Sequence, residues 1–148
     1  MAEFSHLDPA GRARMVDVGH KPLQSRSALA EGIIHCTPAT LAALRDQTIP
    51  KGDVLTVAKI AAIQAAKRTD ELIPLCHSLP LDSIDIRFTL RDDSVLIQAE
   101  ARTQARTGVE MEALTAVSIA ALTIYDMCKA IDKAMVIGNI HLVRKIKE

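Results

Sequence analysis

The chain has 148 residues, enough for one domain with a buried core, and 49% of them are hydrophobic and 24% charged, as in ordinary globular proteins. Basic and acidic residues number 18 each. The resulting zero net charge argues against non-specific binding of nucleic acid, which requires a basic surface, and 2% aromatic content argues against a base-stacking surface. Three cysteines without a recognisable pattern favour a reducing cytoplasm over a disulfide framework.

Membrane partners are not expected. The opening stretch, Met1 to Val18, lacks the apolar core of a signal peptide. The longest charge-free run in a predicted helix, Ala113 to Tyr125, is shorter than the about 20 residues that cross a bilayer. We therefore predict a soluble single domain over residues 1–148, with the polar residues 1–14 loosely ordered.

The first third of the chain predicts two strands and a short helix. "MVDV", residues 15–18, predicts a short strand, and a longer strand is predicted over most of Ser25 to Cys36. Thr37 followed by Pro38 is typical of an N-cap and a first helical residue, and Pro50 is expected to stop that helix.

A long helix follows, with Asp53 as its predicted N-cap. Its apolar residues recur at helical spacing and are mostly alanine, so whatever packs on them must come close. They are Val54, Val57, Ala58, Ala61, Ala62 and Ala65.

The second half predicts a hairpin, a helix and a last strand. "SIDIRFTL" alternates with Ile84, Ile86, Phe88 and Leu90 on one face, and "VLIQAEARTQ" alternates again after the turn "RDDS". Thr107, with Glu110 three residues later, predicts a capping box for a second long helix that runs to about Lys129. "MVIGNIHLVRKIK" predicts the final strand.

The order of these elements predicts an α+β fold of the ferredoxin-like type. This fold has an antiparallel sheet with two long helices on one face, and an extra short helix is predicted in addition. Many unrelated functions use it, so the function depends on the polar clusters that interrupt the apolar pattern.

The first cluster is "CHSLP". Cys76 could be a small core residue and His77 a loop residue; alternatively the pair forms a pocket wall where the imidazole binds or moves protons. A metal site shared with His35 and Cys36 is disfavoured, because neighbours on a strand point to opposite faces.

Cations lie at both ends of the first long helix. Lys51 could be a solvated surface lysine or, beside a helix N-terminus, part of an anion site. Lys67 and Arg68 lie at the opposite end, where cations are favoured in any case.

Two further clusters lie on the second long helix. Capping can explain Glu110, and Glu112 near a helix start is either a stabilising acid or part of a paired-carboxylate site. Asp126 and Lys129, three residues apart on one face, are either a salt bridge or, if partly buried, an acid–base pair.

Together, several stretches give the chain a resemblance to a family. The sequence resembles the cyclic pyranopterin monophosphate synthases, the C protein of molybdenum-cofactor biosynthesis, from Met15 to about Ile137. The matching stretches are "MVDV", "KGDV", "AAIQAAKRT", "LIPLCH", "TGVEMEALTA" and "ALTIYDMCKA".

The resemblance implies a cytoplasmic, hexameric lyase, a trimer of dimers, with sites between subunits. Such enzymes convert a cyclised GTP derivative, 3′,8-cyclo-7,8-dihydroguanosine 5′-triphosphate, to cyclic pyranopterin monophosphate and release pyrophosphate. No tightly bound cofactor and no metal site is implied, although magnesium can accompany the triphosphate. The resemblance implies that Asp126 is catalytic and that the pocket includes Lys51, Lys129, Leu75, Cys76, His77, Glu110, Met111, Glu112 and Arg26. We predict Lys129 and Lys51 as further catalytic residues, and Lys67 and Arg68 as substrate-binding cations, from the chemistry of the reaction.

These implied roles fit the chemistry. Opening and reclosing a purine-derived ring requires proton transfers, which suit Asp126 and Lys129. The cations are expected to face the phosphates and the glutamates the pterin N–H groups. The alternatives are a non-catalytic small-ligand sensor, which needs fewer ionisable groups, and a metal-dependent hydrolase, which the ligand spacing disfavours.

Overall fold

The computed structural model describes residues 4–148, which form one four-stranded sheet and four helices. All strand pairs are antiparallel, and the strand order is β2-β3-β1-β4. The predicted α+β architecture with an antiparallel sheet is confirmed. The elements are β1 (Gln24–His35), α1 (Pro38–Asp46), α2 (Val54–Lys67), α3 (Thr69–Leu72), β2 (Ser83–Leu90), β3 (Ser94–Ala105), α4 (Glu110–Cys128) and β4 (Val136–Lys147).

The sheet buries the face that its sequence alternation predicts. β1 pairs with β3 along its whole length, from Gln24 opposite Ala105 to His35 opposite Ser94. On β2, Ile86 is buried, and its apolar neighbours on the same face pack against the core. The hairpin, β1 and β4 are confirmed as strands.

Small residues let α4 lie close to the sheet. Ala30 on β1 and Ala116 on α4 are fully buried, as are several other alanines of both elements. A Cβ atom placed on Gly32 of β1 would lie 2.8 Å from Cγ1 of Val117. The helix therefore packs at a distance that only glycine permits at this point.

α4 is the core helix of the domain. The Glu110–Cys128 helix is long and apolar enough to cross a membrane, with a mean hydropathy of 1.3 over its most apolar window. Its charge-free part alone is too short to do so. It packs instead on β1, β3 and α2, and 56% of that window is buried within the domain.

The predicted caps of the first two helices are confirmed. The Thr37 side chain accepts a hydrogen bond from the Thr40 amide, and Asp53 accepts one from the Thr56 amide. However, α1 ends at Asp46, before Pro50, because Gln47 adopts a left-handed conformation with φ of 56° that closes the helix.

Asp132, a buried residue after α4, ties this region together. Its carboxylate accepts hydrogen bonds from the Thr37 amide, the Thr40 hydroxyl and the Ala134 amide. Burial alone would raise the pKa of Asp132, but these hydrogen bonds hold it below the ordinary value.

Two sequence predictions of secondary structure are wrong. "MVDV" is not a strand: the sheet consists of β2, β3, β1 and β4, and these four residues pair with none of them. Thr107 does not cap α4, which begins at Glu110 after Val109 without a side-chain cap. Val109 is 1% exposed, so burial of this apolar residue fixes the helix start instead.

The predicted stripe of α2 needs a smaller correction. Val57 is 43% exposed, and Ala61 is half-buried. The buried row runs at four-residue spacing, which leaves Val57 on the flank of the helix. Its buried members are Val54, Ala58, Ala62, Ala65 and Ala66.

The looseness expected of residues 1–14 stays a prediction. Residues 1–3 lie outside the described part of the chain. Residues 4–14 form a small turn in which Leu7 and Ala13 make an isolated antiparallel bridge.

Candidate active site

The start of α2 places Lys51 against the end of α4. Gly52 has φ of +110°, a conformation that side chains disfavour, and Asp53 then caps the helix. Lys51 Nζ donates to the main-chain oxygen of Asp126 at 3.1 Å and lies 3.6 Å from its carboxylate. The turn thus links two motifs that are far apart in the sequence.

Asp126 also pairs with Lys129, as its spacing predicts. Oδ1 of Asp126 lies 2.9 Å from Nζ of Lys129. The hydrogen bond from Lys129, together with the charges of Lys129 and Lys51, holds the pKa of Asp126 below its ordinary value. The pair is not partly buried within one chain: the side chains of Asp126 and Lys129 are 61% and 54% exposed.

A cavity of about 420 Å³ lies at the other end of α4. Five of the predicted substrate-binding residues line it, namely Leu75, Cys76, His77, Glu110 and Met111. Its wall therefore combines the loop before β2 with the first turn of α4. The sequence interpretation missed the remaining lining residues, which are His6, Ile73, Leu79, Thr107 and Gly108.

Glu112 is buried directly behind this wall. It is 3% exposed, and its Oε2 has no hydrogen-bond partner among the described residues. Burial, opposed by a hydrogen bond to its own backbone and reinforced by Glu110 and Asp70, raises the pKa of Glu112 to about 7. This carboxyl group can therefore gain or lose a proton near neutral pH.

Cys76 faces Glu112 rather than a cation. Its Sγ lies 4.0 Å from Oε1 of Glu112. Burial and the negative charge of Glu112 raise the pKa of Cys76 to about 11. The thiol stays protonated at neutral pH and is unsuited to act as a nucleophile, because the thiolate is the reactive form.

Glu110, which lines the cavity, pairs with a cation from β4. Its Oε1 lies 3.5 Å from Nζ of Lys145, an ion pair that sequence spacing cannot reveal. A Cβ atom on Gly108 would overlap Oε2 of Glu110. A larger residue at position 108 would therefore displace this carboxylate.

The other predicted cations do not line the cavity. Arg26 is 9% exposed, and its guanidinium donates to the main-chain oxygen of Arg106 at 3.2 Å. Arg26 lines a separate cavity of about 200 Å³ at the start of β1. Lys67 and Arg68 are exposed at the end of α2, just before α3.

Within one chain, the predicted site residues other than Arg26, Lys67 and Arg68 therefore form two groups at opposite ends of α4. The cavity adjoins the first turn of α4, and the Lys51–Asp126–Lys129 cluster adjoins the last turn. Glu112 and Asp126 are 14 positions apart, which at about 1.5 Å per residue is roughly 21 Å along the helix.

Comparison with known proteins identifies the family of the chain. The family model described as "MoaC family" matches residues 15–147. The chain belongs to the MoaC family. The match includes every predicted site residue, from Arg26 to Lys129.

Individual members of the MoaC family are similar over nearly the whole chain. A cyclic pyranopterin monophosphate synthase of Desulfatibacillum aliphaticivorans is 57% identical over 98% of this chain and 92% of its own length. One from Chloroflexus aurantiacus is 58% identical over 97% of this chain and 89% of its own. A molybdenum cofactor biosynthesis bifunctional protein of Chlorobaculum tepidum is 59% identical over 97% of this chain and 46% of its own.

Proposed function

We propose that this protein is a cyclic pyranopterin monophosphate synthase, a lyase of molybdenum-cofactor biosynthesis. It converts 3′,8-cyclo-7,8-dihydroguanosine 5′-triphosphate to cyclic pyranopterin monophosphate and releases pyrophosphate. The observation that carries the proposal is the Lys51–Asp126–Lys129 cluster, in which one carboxylate contacts two ammonium groups. The names of its relatives in the MoaC family support the same reaction.

The cluster, exposed within one chain, is suited to proton transfer once a neighbouring subunit covers it. The lowered pKa of Asp126 keeps this group a carboxylate at neutral pH, so it holds the two lysines at fixed positions. Lys129 and Lys51 then supply and accept protons as the purine-derived ring opens and recloses. Glu112, whose pKa is about 7, is a further titratable group at the cavity end, behind the wall that Cys76 contributes.

The charges of the site residues favour one orientation of the substrate. Glu110 and Glu112 would repel phosphates, so the pterin lies at the cavity end, where Glu110 lines the cavity and can accept from its N–H groups and Glu112 lies behind the wall. Lys51, Lys67, Arg68 and Arg26 are the cations that stabilise the triphosphate and the leaving pyrophosphate. The scheme requires no tightly bound cofactor, and magnesium enters as the companion of the triphosphate.

The site is completed by a neighbouring subunit. A substrate of nucleotide size cannot contact groups roughly 21 Å apart on one helix. A second chain that brings its Asp126 end beside the cavity of the first resolves this separation.

Two observations on the helices bear on this assembly. The domain covers more of α4 than its sequence suggests: ten of its 19 residues are buried within the chain. Leu122 and Tyr125, near Asp126, are nevertheless 54% and 36% exposed, and Val57 and Ile60 on α2 are exposed as well. These apolar side chains suit a contact with another chain.

The finer features of the assembly follow the family. We propose a homohexamer arranged as a trimer of dimers, in the cytoplasm. The strand order β2-β3-β1-β4, with helices between β1 and β2 and between β3 and β4, supports the ferredoxin-like arrangement.

The test is direct assay of the reaction. Purified protein is incubated with the product of the preceding radical enzyme, and pyrophosphate and cyclic pterin are measured with and without a magnesium chelator. We expect both products in equal amounts. Binding of the substrate without either product would instead indicate a non-catalytic sensor.

A further inference from the structure

The N-terminal segment, residues 4–23, borders the candidate site. His6 lines the cavity that His77 and Met111 also line. Val18 and Leu23 line an adjoining cavity of about 260 Å³, which shares His77 and Leu79 with the first. The segment, called the strap below, is therefore a wall of both cavities, although it contributes no strand or helix.

The strap is held to the rest of the domain by few contacts. Among residues 4–148, two hydrogen bonds connect it to the body: His77 Nε2 lies 2.5 Å from the main-chain oxygen of Val16, and Arg106 Nε donates to that of Lys21 at 3.1 Å. Its large apolar side chains Phe4, Leu7, Met15 and Leu23 are exposed. Little apolar burial opposes its release, so the strap can open and close.

His77 has a defined proton position in this arrangement. A carbonyl oxygen only accepts hydrogen bonds, so Nε2 of His77 must be the donor to Val16. When the ring is neutral, Nδ1 is then the acceptor. The strap and a substrate can therefore use different nitrogens of the same ring.

We infer that the strap closes over the loaded cavity, and that His77 is its latch. The Val16 carbonyl is a positioning group: it fixes the Nε2–H form of His77 and leaves Nδ1 free to accept an N–H of the substrate. Closure also keeps water out of the cavity during ring opening. The inference rests on the proposed function only in taking the cavity as the substrate pocket.

The proton position is tested in the free protein. Histidine-selective ¹⁵N labelling and long-range imidazole NMR distinguish the two tautomers, and loss of one signal in His77→Gln assigns it. We expect the Nε2–H form for His77 in the full chain. The Nδ1–H form would overturn the inference.

The latch is tested by trypsin cleavage after Arg14, since Val16 must leave His77 before the protease can bind the flanking residues. His77→Ala removes the donor and should speed this cleavage roughly tenfold, as expected for a lost hydrogen bond. His77→Gln keeps an amide donor near the Nε2 position, and Val16→Ala keeps the carbonyl. Both should be cut at close to the native rate.

The other results of the cleavage experiment also test the latch. Equal cleavage of the native chain and His77→Ala would contradict the latch. If His77→Ala is also cut within α2, at Lys59, that variant has unfolded, and the tautomer of the native chain decides. Added substrate should slow cleavage after Arg14; faster cleavage would show that the strap opens on binding. A latched strap without turnover would reject the proposed function and leave the inference standing.

Discussion

Lys51 donates a hydrogen bond to the main-chain oxygen of Asp126, although 75 positions separate the two residues. The contact arises because the start of α2 lies beside the end of α4. It brings the "KGDV" and "YDMCKA" stretches of the sequence into one cluster at the surface of the domain.

The cluster predicts a strong effect of two substitutions on activity. Asp126→Asn removes the charge that positions both lysines, and Lys129→Ala removes one of them. We expect turnover to fall by roughly 10² to 10⁴ in each, as for the loss of an acid–base group. Both side chains are more than half exposed, so melting temperatures should stay near the native value.

Asp92→Asn serves as the matched control for these variants. Asp92 is an exposed carboxylate in the turn between β2 and β3, and its loss should leave pyrophosphate release unchanged. Near-native turnover in Asp126→Asn would show that its role is misassigned.

The separation of Glu112 and Asp126 predicts that active sites are shared. Glu112→Gln chains and Asp126→Asn chains should each be inactive. When they are mixed and allowed to exchange subunits, some sites regain both native residues, so activity should return. If mass spectrometry shows mixed assemblies and no turnover appears, each site belongs to a single chain.

Glu112 predicts a pH-dependent cost to stability. In the folded protein the carboxyl group of Glu112 stays protonated up to about pH 7, whereas the ordinary pKa of a glutamate is 4.5. The unfolded chain binds fewer protons in this window, so the free energy of unfolding falls as pH rises from 4.5 to about 7. The loss is on the order of 3 kcal/mol at about 1.36 kcal/mol per pH unit.

Glu112→Gln cannot ionise and should remove this dependence. We expect the variant to melt higher than the native protein at pH 8 and at a similar temperature at pH 5. Glu71→Gln, at an exposed position on α3, is the control and should change neither. A native-like pH profile in Glu112→Gln would contradict the buried, neutral carboxyl group.

Gly32 predicts the cost of crowding α4 against the sheet. A Cβ atom there would lie 2.8 Å from Val117 and 3.0 Å from Ile140. Gly32→Ala should lower the free energy of unfolding by about 1–3 kcal/mol, as overpacking does, measured in urea. Gly138→Ala is the matched control on β4, because nothing lies within 4 Å of its added Cβ.

Local signals explain which elements the sequence predicted correctly. The β2–β3 hairpin and α2 follow from periodicity, and the caps at Thr37 and Asp53 act within three residues of themselves. The pairing of Asp126 with Lys129 is of the same kind, since residues three apart share a helix face. Such features depend only on residues that are close in the sequence.

Tertiary packing decided the rest. "MVDV" pairs with no strand of the sheet, and buried Val109 rather than Thr107 sets the start of α4. The proton affinity of Glu112 comes from burial behind the cavity, and the contacts of Lys51 with Asp126 and of His77 with Val16 join distant segments. Burial and such contacts are set by how helices, sheet and strap pack together, and no periodicity or motif spacing encodes that arrangement locally.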